Sequence, residues 1–226
     1  MRGQTGMGRA RHRLTRVGGQ VETLSGDPNL DLPEFDAPPD EPLPLLESWL
    51  ASADARGVRE PRALALATAD AAGRPSNRIV LLKQVSPSIV IAFSAGSRKG
   101  RDIEENPRVA GTLYWRETLQ QVVIEGSVER MSEKDSDRLF AERPRPGQAA
   151  TVASEQGADL DDPERLRREA DALMRGDEPL RRPEDWGGYR LDPDRVEFWH
   201  GSPDRLHRRL LYMKADGGWT HRRLQP

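Results

Sequence analysis

The spacing of apolar residues divides the chain into a polar beginning and a patterned remainder. Leu45, Leu46, Trp49 and Leu50 recur at three- and four-residue intervals and Gly57 follows, so the spacing predicts a helix over 42–57. From residue 63 the pattern changes. Residues 63–69 are compact and apolar, 70–74 read as a turn, and 77–85, 88–93, 109–116 and 118–130 are strand-like stretches rich in Ile and Val. Short strands in such close succession predict a meander that closes into a barrel. Between them, 99–106 reads as a short helix that stops before Pro107. Residues 132–142 open with Ser-x-x-Asp, and 162–175 carry Pro163 at the first helical position; both read as helices. Leu166, Ala170 and Leu173 give the second a narrow apolar stripe, and the stretch 144–161 between the two reads as a long loop. Strands at 188–191, 195–200, 207–214 and 219–224 complete the chain. The expected fold class is mainly β (α+β), one domain over residues 45–226 with peripheral helices.

Residues 1–44 lack this patterning. Arg2, Arg9, Arg11, Arg13 and Arg16 cluster first, and an acidic, proline-rich stretch follows over 27–44, so the segment reads as a flexible N-terminal arm. Over the whole chain of 226 residues, 35 Lys and Arg face 37 Asp and Glu, a net charge of −2. That balance supplies no global field to draw in nucleic acid or an anionic membrane. No run of about 18 apolar residues exists for a membrane helix, and the basic start lacks the apolar segment of a secretory signal; the expectation is a cytoplasmic protein. The absence of cysteine excludes disulfides, thiolate metal sites and a cysteine nucleophile. His12, His200, His207 and His221 have no second histidine or carboxylate at ligand spacing, so no metal is expected. No phosphate-binding P-loop, nucleophile elbow or dinucleotide fingerprint is present.

The chemistry-bearing candidates are cations set into strands and turns. Arg78 and Lys83 flank an apolar run and, five residues apart, fall on opposite faces of a regular strand. Ser97, Arg98 and Lys99 offer a hydroxyl and two cations at a helix start, a combination that suits phosphate. Arg205, His207 and Arg209 share one face if that segment is extended; an arginine beside a histidine can orient an anion and move a proton. Trp115 and Trp199 fit either a core or the wall of an aromatic ligand site. Taken singly, each set also fits a solvated strand end, a basic turn or a surface strand.

Their order adds what each alone lacks. The chain carries R-I-V-L-L-K at 78–83, G-S-R-K-G at 96–100, E-N-P-R-V at 105–109, Q-Q-V at 120–122, E-R-P-R at 142–145, E-F-W at 197–199 and R-L-H-R-R at 205–209. In this it resembles the pyridoxamine 5′-phosphate oxidase family of FMN-binding split β-barrel flavoproteins, over about residues 43–226. The stretches 59–70, 73–76, 113–118 and 223–226 look most like the family's phenazine-forming branch. The resemblance implies a homodimer with FMN at the subunit interface. It implies FMN contacts from Arg78, Ile79, Val80, Lys83, Gln121, Gln156, Trp199 and Arg209, with Arg98 and Lys99 on the phosphate. It places Lys83, Arg143, Arg205 and His207 at the substrate, Arg205 and His207 as the catalytic pair, the first orienting, the second positioning or transferring a proton.

The implied activity is an FMN-dependent oxidase that takes a tetrahydro- or hexahydrophenazine carboxylic acid toward the aromatic phenazine, with O2 as acceptor and H2O2 as product. Pyridoxamine or pyridoxine 5′-phosphate oxidation, or flavin binding without turnover, are the alternatives. The chain departs from the vitamin-forming pattern at three places. Leu139 stands for a tyrosine and Gly147 for a serine that hold the substrate phosphate, and Ala92-Phe93 stand for a Tyr-Thr pair beside the FMN. Loss of those donors implies a larger, more apolar pocket.

Overall fold

A computed structural model describes residues 26–226. After a short 3-10 turn at Pro33–Phe35, helix α1 (Pro42–Ala55) is followed by strands β1 (Ala63–Ala69), β2 (Pro75–Leu81) and β3 (Ile89–Ser94). Helix α2 (Arg98–Glu105), strands β4 (Arg108–Trp115) and β5 (Gln120–Arg130), and helices α3 (Glu133–Ala141), α4 (Arg145–Ala153) and α5 (Pro163–Arg175) come next. Strands β6 (Trp186–His200), β7 (Arg208–Ala215) and β8 (Gly218–Arg223) close the order. All pairings are antiparallel, in the order β2-β1-β4-β5-β6-β7-β8, with β3 also paired to β6. A bridge between Gln84 and Val90 ties the end of β2 to β3, so the sheet curls back on itself around one core. The α+β barrel expected from the sequence is the fold observed.

Alternation builds the barrel. Leu64, Leu66 and Thr68 of β1 point inward, while Ala63, Ala65 and Ala67 lie half-exposed on the outer face. Inside, Trp49 of α1 meets Phe198 edge-on at 4.9 Å, with Trp115 at 6.2 Å and Phe35 at 6.1 Å. Trp115 is therefore core, its indole N–H donating to the Pro61 carbonyl at 2.9 Å.

Three expectations about the elements change. The arm is not free along its whole length: Leu30, Leu32 and Phe35 belong to the core. Asp36 is paired to Arg208 at 3.3 Å and Arg223 at 2.7 Å, and Tyr212 donates to the Pro39 carbonyl. The proline-rich composition concealed three well-spaced apolar anchors; residues 1–25, with their arginine cluster, lie outside the described residues. The long loop at 144–161 contains α4, because Pro146 falls in the first helical turn, where its missing N–H costs nothing. The strands at 188–191 and 195–200 are one strand, β6. It runs through Pro193 by a bulge opposite Gly126, where a Cβ would lie 2.2 Å from the Asp192 carbonyl oxygen.

Among the described residues no helix is long and apolar enough to cross a membrane. If the segment around Phe35 is core, Phe35→Ala lowers stability by about 3–5 kcal/mol. Urea unfolding at fixed protein concentration measures this; an unchanged midpoint would return the segment to a loose arm.

Candidate active site

The first group of side chains gathers where β2, the end of β3 and the start of α2 meet. Ser97 caps α2, its hydroxyl oxygen accepting from the Gly100 N–H at 3.4 Å. Gly100 is required there, since a Cβ would lie 2.2 Å from the Ala95 carbonyl oxygen. Lys99 is folded under this turn and only 7% exposed. Its ammonium donates to Ser97 Oγ and Gln156 Oε1, both at 3.2 Å, and lies 5.2 Å from the Phe93 ring centre. Burial, reinforced by the charge of Arg78, pulls the Lys99 pKa down from 10.5 to about 8. Arg78 donates to Thr68 Oγ1 at 2.7 Å and to Ser76, and stands 3.8 Å from Asp102. The Asp102 carboxylate accepts from Thr68 at 2.6 Å and Ser76 at 2.7 Å, which hold its pKa below the usual range against its burial. Arg98 is exposed at the same helix start. Cations thus outnumber carboxylates beside a helix N-terminus, an arrangement that attracts an anion.

Beyond the end of β2, Lys83 faces Arg143, which follows α3. Burial lowers both pKa values, and the charge of Arg143 lowers that of Lys83 further. Arg143 Nη2 donates to the Gly147 carbonyl at 3.1 Å and to Thr151 Oγ1 at 3.2 Å, and the guanidinium lies over Trp186 at 5.1 Å. Its Nε is buried without a partner. Between β3, α4 and the start of β6 is a cavity of about 220 Å³ lined in part by Phe93, Arg143, Thr151, Gln156, Asp185 and Trp186. A Cβ on Gly147 would lie 3.3 Å from Arg143 Nη2, and Leu139 packs against Gly188.

A second group lies three to five strands from β2. Gln121, Trp199 and Arg209 are successive partners across β5, β6 and β7, and Tyr114 of β4 extends the row. Arg209 is held through its Nε by Glu197 Oε1 at 2.7 Å, and Arg195 holds Glu197 Oε2 at 2.9 Å. The His207 ring lies 4.9 Å from Trp199, tilted by 46°. Strand β7 begins only at Arg208, so Arg205 is not on its face as an extended segment would require. It occupies the preceding turn at φ +68°.

Several sequence candidates are therefore brought together, and two sets are kept apart. Arg78, Lys99 and Gln156 form one cluster, Lys83 and Arg143 border it, and Gln121, Trp199, His207 and Arg209 form another. The side chains of Ile79 and Val80 point to opposite faces, Ile79 62% exposed and Val80 buried. Ile79, Leu81, Tyr114 and Met213 are large exposed apolar side chains on the outer sheet face, where the β1 alanines also lie. The sequence reading assigned no role to Glu197, Thr68, Asp102 or Thr151. Glu197 was findable, since strand alternation puts it on the face of Trp199 two residues away.

Cations at a helix start beside a cavity, and an aromatic–arginine row at the edge of an apolar sheet face, suit a planar anionic ligand. The chain belongs to the pyridoxamine 5′-phosphate oxidase family. Residues 50–173 match the family model of that name, and residues 186–226 match the pyridoxine 5′-phosphate oxidase C-terminal dimerisation region. The chain is 43% identical over 209 residues to a dihydrophenazinedicarboxylate synthase of Pseudomonas chlororaphis, covering 92% of this chain and 94% of that one. It is 46% identical over 198 residues to a pyridoxine/pyridoxamine 5′-phosphate oxidase of Rubrobacter xylanophilus, covering 86% and 91%. Among solved structures, PhzG from Burkholderia lata 383 in complex with tetrahydrophenazine-1-carboxylic acid superposes with a TM-score of 0.86 at 43% identity, covering 89% of this chain and all of that one. A pyridoxamine 5′-phosphate oxidase-related, FMN-binding protein of Nostoc punctiforme shares the fold at a TM-score of 0.68 and 17% identity. The fold is thus one that flavin-binding proteins share.

Because the folded-state pKa of Lys99 is about 8 against an ordinary 10.5, the unfolded chain binds that proton more tightly. Below pH 8 Lys99 destabilises the ligand-free protein, and stability is recovered as pH rises toward 10.5. The Tm difference between wild type and Lys99→Met therefore shrinks from pH 7 to pH 10, the variant being the more stable at pH 7. A pH-independent difference would overturn the assignment.

Proposed function

We propose that the protein is an FMN-dependent homodimeric oxidase that dehydrogenates a partly reduced phenazine carboxylic acid toward the aromatic phenazine. The observation that carries the substrate assignment is the wall around Arg143. Leu139 packs on Gly188 and offers no donor, Gly147 has no side chain, and the cation pair Lys83–Arg143 remains. Such a wall suits a single carboxylate beside a cavity of about 220 Å³ whose lining mixes Phe93 and Trp186 with Ser94, Thr151, Ser154 and Gln156. The likeness to PhzG in complex with tetrahydrophenazine-1-carboxylic acid supports the same reading.

The donor chemistry fits FMN. Arg78, Arg98, Lys99 and the α2 N-terminus suit a phosphate monoester, and the uncompensated charge at Lys99 is what such an anion relieves. Gln121, Trp199 and Arg209 suit the polar edge and face of a flavin ring. A two-fold axis through the outer sheet face would bring the first set of one protomer to the second set of the other and cover Ile79, Leu81 and Tyr114. When bound, the flavin supplies two-electron oxidation, returned to O2 as H2O2. The chain's own residues do the rest: Lys83 and Arg143 hold the carboxylate, Arg205 orients the ring, and Trp199 with His207 sets the far wall. Removal of a hydride and a proton from the substrate is driven by aromatisation.

A second reading, oxidation of pyridoxamine 5′-phosphate, is favoured by the retained Lys83 and Arg143 and by the relative from Rubrobacter xylanophilus. Anaerobic mixing of FMN-loaded protein with each substrate separates the two. Bleaching by tetrahydrophenazine-1-carboxylic acid, and not by pyridoxamine phosphate, is expected; the reverse would overturn the assignment. The double variant Leu139→Tyr/Gly147→Ser, which introduces two hydroxyls, gains bleaching by pyridoxamine phosphate. Arg205→Ala slows bleaching by the phenazine precursor about tenfold or more while FMN stays bound; an unchanged rate would remove Arg205 from the site.

A further inference from the structure

The turn between β6 and β7 is built around Ser202, all of whose polar groups are engaged. Its carbonyl accepts from the Arg205 N–H at 3.0 Å, its hydroxyl donates to Asp204 Oδ1, and its N–H donates to His207 Nδ1 at 3.1 Å. Asp204 Oδ1 also accepts from the Leu206 N–H at 2.9 Å. Those two donors, the Ser202 hydroxyl first, hold the Asp204 pKa below the ordinary carboxylate range, so the carboxylate is charged at neutral pH. Between them Arg205 sits at φ +68°, a left-handed conformation that a long side chain keeps only where its surroundings hold it. Gly201 anchors the entry to the turn. Its N–H donates to the Leu119 carbonyl at 2.8 Å, and a Cβ there would press on the Trp199 ring at 3.0 Å. On its other side, the His207 ring lies against Trp199.

A hydrogen bond received at Nδ1 fixes which nitrogen of the neutral ring carries the proton. We propose that Asp204 is a positioning residue: acting through Ser202, it locks His207 as the Nε2–H tautomer. His207 then offers its ligand a hydrogen-bond donor and not a proton-accepting nitrogen. His207 therefore does not take up the substrate proton; it fixes the orientation of an acceptor atom on the substrate. This rests on the proposed function only in naming that ligand; the tautomer lock itself is a property of the turn.

The test uses full-length, FMN-loaded protein labelled with 15N-histidine, recorded above the titration range of the ring, with His207→Gln identifying the His207 signals. Wild type and Asp204→Asn, whose amide oxygen can accept the same two hydrogen bonds, are expected to show protonated Nε2 and bare Nδ1. Asp204→Ala is expected to show a mixture of tautomers. With tetrahydrophenazine-1-carboxylic acid, kcat/KM of Asp204→Ala falls about tenfold, most of it in KM, FMN affinity by fluorescence titration is unchanged, and Asp204→Asn restores most of the loss. Protonated Nδ1 in the wild type, or an unmixed Nε2–H form in Asp204→Ala, overturns the proposal. Failure of the phenazine substrate to react would overturn the substrate assignment while the spectra still decide the lock.

Discussion

Lys99 is a buried ammonium with a serine hydroxyl, a glutamine carbonyl and an aromatic face around it, and its nearest charged neighbour of consequence is another cation. Burying an unpaired charge is among the costliest things a fold can do. Much of the surrounding architecture exists to tolerate it. Gly100 lets α2 begin hard against the Ala95 carbonyl, Ser97 serves both the helix cap and the ammonium, and Gln156 reaches in from beyond α4. Asp102 answers Arg78 only at 3.8 Å, through a network shared with Thr68 and Ser76. The fold therefore stores an electrostatic deficit at one point, which a bound anion would discharge. Stability given up without ligand becomes affinity with it.

The second constraint is the outer face of the sheet. Alternation that buries Leu64 and Leu66 necessarily turns Ala63, Ala65 and Ala67 outward, and these small side chains leave a shallow surface across which another backbone can approach closely. The charged groups near that face are mostly paired with one another, Arg195 Nε being left without a partner. Glu197 is clamped between Arg195 and Arg209, and Arg195 reaches on to Glu125 at 3.2 Å. A network of paired charges can be covered by a second subunit at much lower cost than isolated ones. It also leaves Arg209 with a fixed guanidinium plane, which a flexible surface arginine would lack.

Periodicity made much of this visible. The helical spacing of Leu45 to Leu50 and the β-branched runs after residue 63 specify α1 and most of the strands, because both periods reflect a single buried face. What escaped was carried by residues whose local meaning is ambiguous. The stretch 144–161 read as a loop although Pro146 sits where a helix accepts proline, and 188–191 and 195–200 read as two strands although a bulge carries β6 through Pro193. Leu30, Leu32 and Phe35 were masked by their proline-rich setting. Of the site, the cations were legible as residue types but their partners were not, since Lys99 meets Gln156 across 57 positions and Arg78 meets Asp102 across 24. Such encounters are set by topology.

Overall likeness does not choose the substrate, since the chain is 43% identical to phenazine-forming relatives and 46% identical to vitamin-forming ones. Discrimination falls to the few side chains that meet the substrate but not the cofactor. A site built to hydrogen-bond an oxyanion rejects ligands that leave its donors unpaired, while a site lacking those donors holds a phosphate poorly. Around Arg143, Nη2 is drawn back onto Gly147 and Thr151, and neither Leu139 nor Gly147 brings a side-chain hydroxyl. The guanidinium is left with little to give beyond charge and one open edge. A single carboxylate on a broad apolar ring system asks for no more than that, which is why the wall around Arg143 carries the substrate assignment.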